Sequence, residues 1–168
     1  MKDGHILVWP NTVPFNGMLL SGKLPFKTRS LPPIHDYRGV VLFYNSSKYA
    51  NQHKVLREGI DPKLLQMQSI VGQGFLKEVR QLSDAEMADF SVRCKGIYNA
   101  FPLGYFFENL LPFPQSIPAM WPHGTVRGGW VHSGQFQPWL DRAFALERPK
   151  EFDEHRMPIQ SKIFRNVA

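Results

Sequence analysis

The chain has 168 residues, 43% of them apolar, with 22 aromatic side chains, which excludes a disordered tail and fits one domain with a real core. No run approaches the roughly 18 apolar residues that span a bilayer, and a single cysteine, Cys94, excludes an internal disulfide and a cysteine-based metal cage. The net charge of +6 lies entirely in residues 1–57, which hold 8 Lys/Arg against 2 Asp/Glu; residues 58–168 hold 12 of each. A polyanion would therefore bind at the first third of the chain, through phosphate attraction and counterion release.

Residues 1–10 carry an apolar stretch too short for a secretory signal, ended by Pro10, so a cytoplasmic protein is expected. Residues 5–9 are β-prone and read as a first strand. Asn11-Thr12-Val13-Pro14 has the form of a capped helix entry, and the apolar spacing of residues 15–20 predicts a short helix that Gly22 ends in the left-handed region. Residues 26–31 read as extended, stopped by Pro32-Pro33, with Lys27 and Arg29 on one side and Phe26 and Thr28 on the other.

Residues 40–44 are five consecutive β-prone apolar residues, a strand buried on both faces or closing a barrel. Residues 48–58 read as helical and are ended by Gly59; a second short helix covers 62–66. Residues 69–81 form a long strand in which Gly72 and Gly74 mark a bulge or barrel corner. Ser83-Asp84-Ala85-Glu86 has the pattern of a capping box, with a helix to about residue 93 and Gly96 beyond its end. Strands follow at 105–111 and 130–132. Short strands with few helices between them predict a mainly β, α+β fold: a small, mostly antiparallel barrel with peripheral helices over residues 1–135. Residues 136–168 read as an extension packing on the barrel, with a helix near 138–146, and Trp121, Trp130 and Trp139 as its anchors.

Four segments in this order resemble the ASCH domain family, a branch of the PUA-like superfold. They are Gly22-Lys23-Leu24-Pro25-Phe26-Lys27-Thr28-Arg29-Ser30, the strand that begins at Tyr37-Arg38-Gly39, Ile70-Val71-Gly72-Gln73-Gly74-Phe75-Leu76, and Tyr105-Phe106-Phe107-Glu108-Asn109. The resemblance covers residues 5–132. It implies a PUA-like barrel whose cleft, between the helix after strand one and the barrel mouth, takes RNA or a modified nucleotide. The family signature is a glycine, a lysine two positions on, an acidic residue and an arginine. Gly22 and Arg29 match it; Leu24 stands at the lysine position and Lys27 at the acidic one. Small members resemble amidohydrolases acting on acylated cytidine, through the motif lysine, a threonine at the acidic position and a later glutamate. Leu24 and Lys27 break that set, so this activity is not carried over, and a binding module is expected over an enzyme. Other members resemble ribonucleases built on lysine, tyrosine, serine and arginine, types that Lys27, Arg29, Tyr44, Ser46 and Ser47 supply.

Lys27 and Arg29 are accordingly the first candidate ligand contacts, one a mobile point charge and the other a rigid fork. The structural alternative for Arg29 is a brace to Glu108. Lys23 and Arg38 add charge, although Arg38 also suits a turn brace. Ser46, Ser47 and Lys48 follow the apolar strand, where Ser47 is equally suited to cap a helix. Trp9 and Phe15 flank the expected cleft as stacking platforms or as core. The six histidines show no metal-ligand spacing, no phosphate-cradling glycine loop is present, and neither a metal nor a cofactor is expected. Glu78, Glu86 and Glu108 are available as acids or bases, with surface roles the simpler reading. RNA or a nucleotide is the expected partner.

Overall fold

The computed structural model describes residues 5–33, 36–46, 51–121 and 130–132. Its elements in chain order are β1 (His5–Asn11), α1 (Phe15–Leu20), β2 (Lys27–Arg29), β3 (Gly39–Asn45), two 3-10 segments (Asn51–Arg57 and Pro62–Leu65), β4 (Ser69–Gln81), α2 (Asp84–Arg93), β5 (Leu103–Pro118) and β6 (Trp130–His132). The strands form one mixed sheet in the order β2-β5-β4-β3-β1-β6, curled into a half-barrel. Among the described residues no helix is long and apolar enough to cross a membrane. The expected extension over 136–168, with Trp139 and the helix near 138–146, lies outside the described residues.

β1 and β3 run parallel, Leu7 opposite Val41 and Asn11 opposite Asn45; the other four pairings are antiparallel. This parallel pair qualifies the mostly antiparallel expectation. α1 and β2 both lie between the two strands in sequence, and such a crossover is what two parallel neighbours require. β4 slips register three times against β5, around Gly72, Gly74 and Lys77, and the β3–β4 ladder shifts between Phe43 and Tyr44. Irregularities of this kind sharpen twist and bend the sheet. Gly72 lies against the β5 backbone: a Cβ there would lie 2.7 Å from the Leu111 carbonyl oxygen.

β5 is longer than the strand expected at 105–111 and runs through Pro112 and Pro114. β2 pairs with it only from Leu103 to Tyr105, so beyond that point no described strand needs its outer N–H groups and proline is tolerated.

Alternation along the strands divides the core. Leu7, Trp9, Val41, Phe43, Val71, Leu76 and Tyr105 face α1 and Phe90 of α2. Val8, Leu42, Tyr44, Ile70, Phe113 and Ile117 form a second cluster on the other face, joined by Ala119 and Trp121. Each fully buried Leu or Phe side chain contributes about 1.5–3 kcal/mol.

α1 departs from its expected cap. Pro14 occupies the N-cap position, and its hydrocarbon ring has no polar atom to cap with; the Asn11 side chain donates to Asn16 Oδ1 at 3.1 Å. Its end is as expected: Gly22 adopts φ +76°, and its N–H meets the Leu19 carbonyl at 3.1 Å. α2 carries the expected capping box between Ser83 and Glu86. Arg80 grips the same carboxylate from β4 at 2.9 and 2.7 Å, holding the Glu86 pKa down to about 2, and the Ser83 N–H adds to that effect.

Candidate functional site

Three residues of β2 suffice to carry two cations to one place. Alternation puts Lys27 and Arg29 on the same side of the strand, and both reach Trp9 of β1, four places along the sheet order from β2. The Lys27 Nζ lies 5.7 Å from the Trp9 ring centre and the Arg29 Cζ 4.8 Å from it. Arg29 also donates to the Pro10 carbonyl at 3.1 Å. Tyr105 of β5 packs edge-on against the indole at 4.6 Å, Phe107 at 5.7 Å, and the Tyr105 hydroxyl donates to the Leu31 carbonyl at 2.6 Å.

Lys27 is 5% exposed, and its amine donates to Asn16 Oδ1 at 2.8 Å. The Asn16 amide is completely used. Its oxygen accepts from Lys27 and Asn11, and its nitrogen donates to the Tyr44 carbonyl at 2.9 Å and to Asn45 Oδ1 at 3.1 Å. Asn45 in turn donates to the carbonyls of Leu64 and Gln66. An amide chain thus runs from the lysine to the end of the second 3-10 segment and fixes Lys27 without giving it an opposite charge.

Among the described residues no carboxylate pairs with Lys27 or Arg29. Glu108, the alternative brace for Arg29, pairs with Lys77 at 3.0 Å on the surface. Burial, and then the charge of Arg29, hold the Lys27 amine well below the usual lysine pKa. Burial also lowers the Arg29 guanidinium, with Tyr105 opposing that shift. Burial raises the Tyr105 hydroxyl, against the charges of Arg29 and Arg38.

The other expected contacts are distributed differently. Trp9 is 5% exposed, with Arg29 over the ring and two aromatic edges against it, so it supports the cluster from beneath and offers no open face to a base. Phe15 packs against His53 and Tyr98. His53 is buried: its Nδ1 donates to the Val13 carbonyl at 2.7 Å, and its Nε2 is hydrogen-bonded to the Tyr98 hydroxyl. Tyr44 points to the opposite sheet face, donating to the Ala119 carbonyl at 3.0 Å with Trp121 against its ring; its carbonyl accepts from the Asn16 amide of the lysine network. Lys23 turns away and donates to the Glu58 carbonyl. Arg38 pairs with Asp36 at 2.9 Å and donates to the Tyr37 carbonyl at 2.8 Å, bracing its turn. Ser46 is half-buried, its N–H on the Asn11 carbonyl. Ser47 and Lys48 lie outside the described residues. Leu24, at the family's lysine position, is 1% exposed and part of the core.

Asn11, Asn16, Asn45 and Tyr105 belong to the cluster and were not expected there. The available signal was Asn16, the one polar side chain in a helix otherwise made of Phe, Gly, Met and Leu. Among the described residues no group of three or more His, Cys, Asp or Glu could hold a metal ion. Glu78 and Glu86 both pair with Arg80. Cys94 is buried, its thiol pushed up to about 11. No model of a known protein family matches this chain, and no curated protein matches it.

Proposed function

We propose that the chain is a nucleic-acid-binding module of the PUA-like type, taking RNA or a modified nucleotide where Lys27 and Arg29 converge on Trp9. The observation that carries this reading is a pair of cations on one aromatic ring with which no carboxylate pairs among the described residues. In a medium of low dielectric the two repel, and desolvation adds to the cost. An anionic ligand adds an attraction to each cation that offsets both costs. The excess of basic residues in 1–57 and the ASCH-like phrase from Gly22 to Ser30 support the same site. A cytoplasmic location, with RNA at hand, belongs to this reading.

The test is fluorescence anisotropy of a labelled single-stranded RNA titrated with the protein at several salt concentrations. Affinity is expected to fall log-linearly with salt and to weaken in Lys27→Ala and Arg29→Ala. Absent or salt-insensitive binding overturns the proposal.

A second reading has one observation in its favour: burial and Arg29 hold Lys27 toward the neutral amine, the form that serves as a general base. On that reading the module is a nuclease or a nucleoside amidohydrolase. Incubation with RNA and with acylated cytidine separates the two: turnover lost in Lys27→Ala favours the enzyme, and binding without turnover favours the module.

A further inference from the structure

Resting on the nucleotide-binding reading, we propose that the group seated against Lys27 and Arg29 is a terminal phosphate monoester, the phosphorylated end of an RNA strand or of a nucleotide, and not an internal phosphodiester.

Unused donors set the charge and the number of acceptors that the ligand must bring. An ammonium has three N–H donors and a guanidinium five. Lys27 uses one, on Asn16, and Arg29 uses one, on the Pro10 carbonyl. The indole N–H of Trp9 is buried with no acceptor among the described residues. Two positive charges and a surplus of donors therefore surround one ring, and the acceptors present are neutral amide oxygens. An internal phosphodiester brings one negative charge and two unesterified oxygens. A phosphate monoester brings about −1.5 to −2 charges near neutral pH and three acceptor oxygens. The monoester matches the pair of cations; the diester leaves one of them uncompensated.

Access points the same way. Lys27 and Trp9 are each 5% exposed, while Arg29 is half-buried and nearer the solvent. An internal phosphate carries a ribose on both sides and would have to bring both down to the amine. A strand end has a single tether, so its phosphate can enter past Arg29 while the rest of the chain stays outside. The amide chain from Asn16 through Asn45 holds the amine in place without neutralising it, as a site awaiting its counter-charge requires.

The experiment compares short single-stranded RNAs of one sequence with a 5′-phosphate, a 3′-phosphate or hydroxyls at both ends, each labelled away from the end under test. Unlabelled nucleoside monophosphate and ribose 5-phosphate serve as competitors. We expect one phosphorylated end to bind at least about ten-fold tighter than the hydroxyl-ended strand. That advantage should fall below about two-fold in Lys27→Met and in Arg29→Gln, two independent variants whose folding circular dichroism checks. Competition by the nucleoside monophosphate at strand-like affinity identifies a free nucleotide as the ligand; much weaker competition identifies the strand end. Equal, salt-dependent affinity for phosphorylated and hydroxyl-ended strands overturns the terminal-phosphate proposal and leaves RNA binding standing. Binding of ribose 5-phosphate with no RNA binding overturns the nucleic-acid reading and leaves the phosphate site standing. An end preference that survives in both variants places the site elsewhere and overturns the proposal.

Discussion

Lys27 donates to Asn16 Oδ1 at 2.8 Å from a position where only 5% of its surface meets solvent, and among the described residues no carboxylate pairs with it. An amide oxygen can orient an ammonium but cannot return what desolvation removes. The pair therefore serves placement more than stability.

That imbalance gives a pH signature. The folded-state pKa of Lys27 lies well below 10.5, chiefly through burial. Between the two values the unfolded chain holds the proton and the folded one does not, so stability rises with pH across that window. It is fully present above the ordinary lysine value and lost as pH falls through the folded one. Lys27→Met should therefore be about 1–3 kcal/mol more stable than the parent at pH 7, the gain usual when a buried charge gives way to an apolar side chain. The advantage should shrink as pH rises toward 10.5. Urea unfolding of both proteins from neutral to alkaline pH checks this. Taking the difference cancels Tyr37 and Tyr105, whose raised pKa values act equally in each protein. A variant less stable than the parent at every pH would mean that the lysine is compensated.

Asn16 makes the opposite prediction. All four of its hydrogen-bonding positions are engaged in a 0%-exposed environment. Asn16→Ala removes the acceptor of the Lys27 and Asn11 side chains and the donor to the Tyr44 carbonyl and Asn45 Oδ1 at once. The expected loss is about 2–4 kcal/mol, since each orphaned buried group costs about 1–3 kcal/mol and the site can relax in part. A shift of the urea midpoint without a change in slope measures it.

Much of this was legible in the sequence wherever a local rule decided the outcome. The Ser83–Glu86 capping box, the left-handed glycine at Gly22 and the long glycine-bearing strand at 69–81 follow from short-range chemistry, and they stand as expected. So does the shared side of Lys27 and Arg29, which alternation alone dictates. The parallel pairing of β1 with β3 was not legible, because strand direction depends on what crosses between strands. Nor was the face of Tyr44, since five apolar residues in a row carry no alternation to tell the two sides apart. Nor was the amide network, whose members Asn11, Asn16 and Asn45 are distant in sequence and ordinary in type.

Gly72 tests the curl of the sheet. A methyl group there meets the Leu111 carbonyl oxygen at 2.7 Å and the Leu20 methyls at 2.8 and 3.0 Å. Leu20 can turn aside, but the carbonyl belongs to the β5 backbone and cannot. Gly72→Ala should destabilise the protein by about 1–3 kcal/mol, the range for overpacking against a fixed neighbour. Thermal unfolding followed by circular dichroism reads it. A neutral result would mean that β4 and β5 separate more easily than their register implies.

Arg29 separates charge from shape at the site. Its guanidinium lies 4.8 Å from the Trp9 ring centre and donates to the Pro10 carbonyl, leaving most of its fork for a ligand. Arg29→Lys keeps the positive charge but loses both the planar stack and the paired donors. RNA affinity at low salt should fall roughly five- to thirty-fold, the loss of one bidentate, charge-assisted contact. The slope of log affinity against log salt should stay nearly constant, because the number of neutralised phosphates is unchanged. Arg29→Gln removes the charge as well, so its slope should be shallower by about 0.7, the single-strand value for one phosphate contact. Anisotropy titrations at four or more salt concentrations distinguish the two variants. If both show the parental slope, Arg29 touches no phosphate and acts only by holding Trp9 in place.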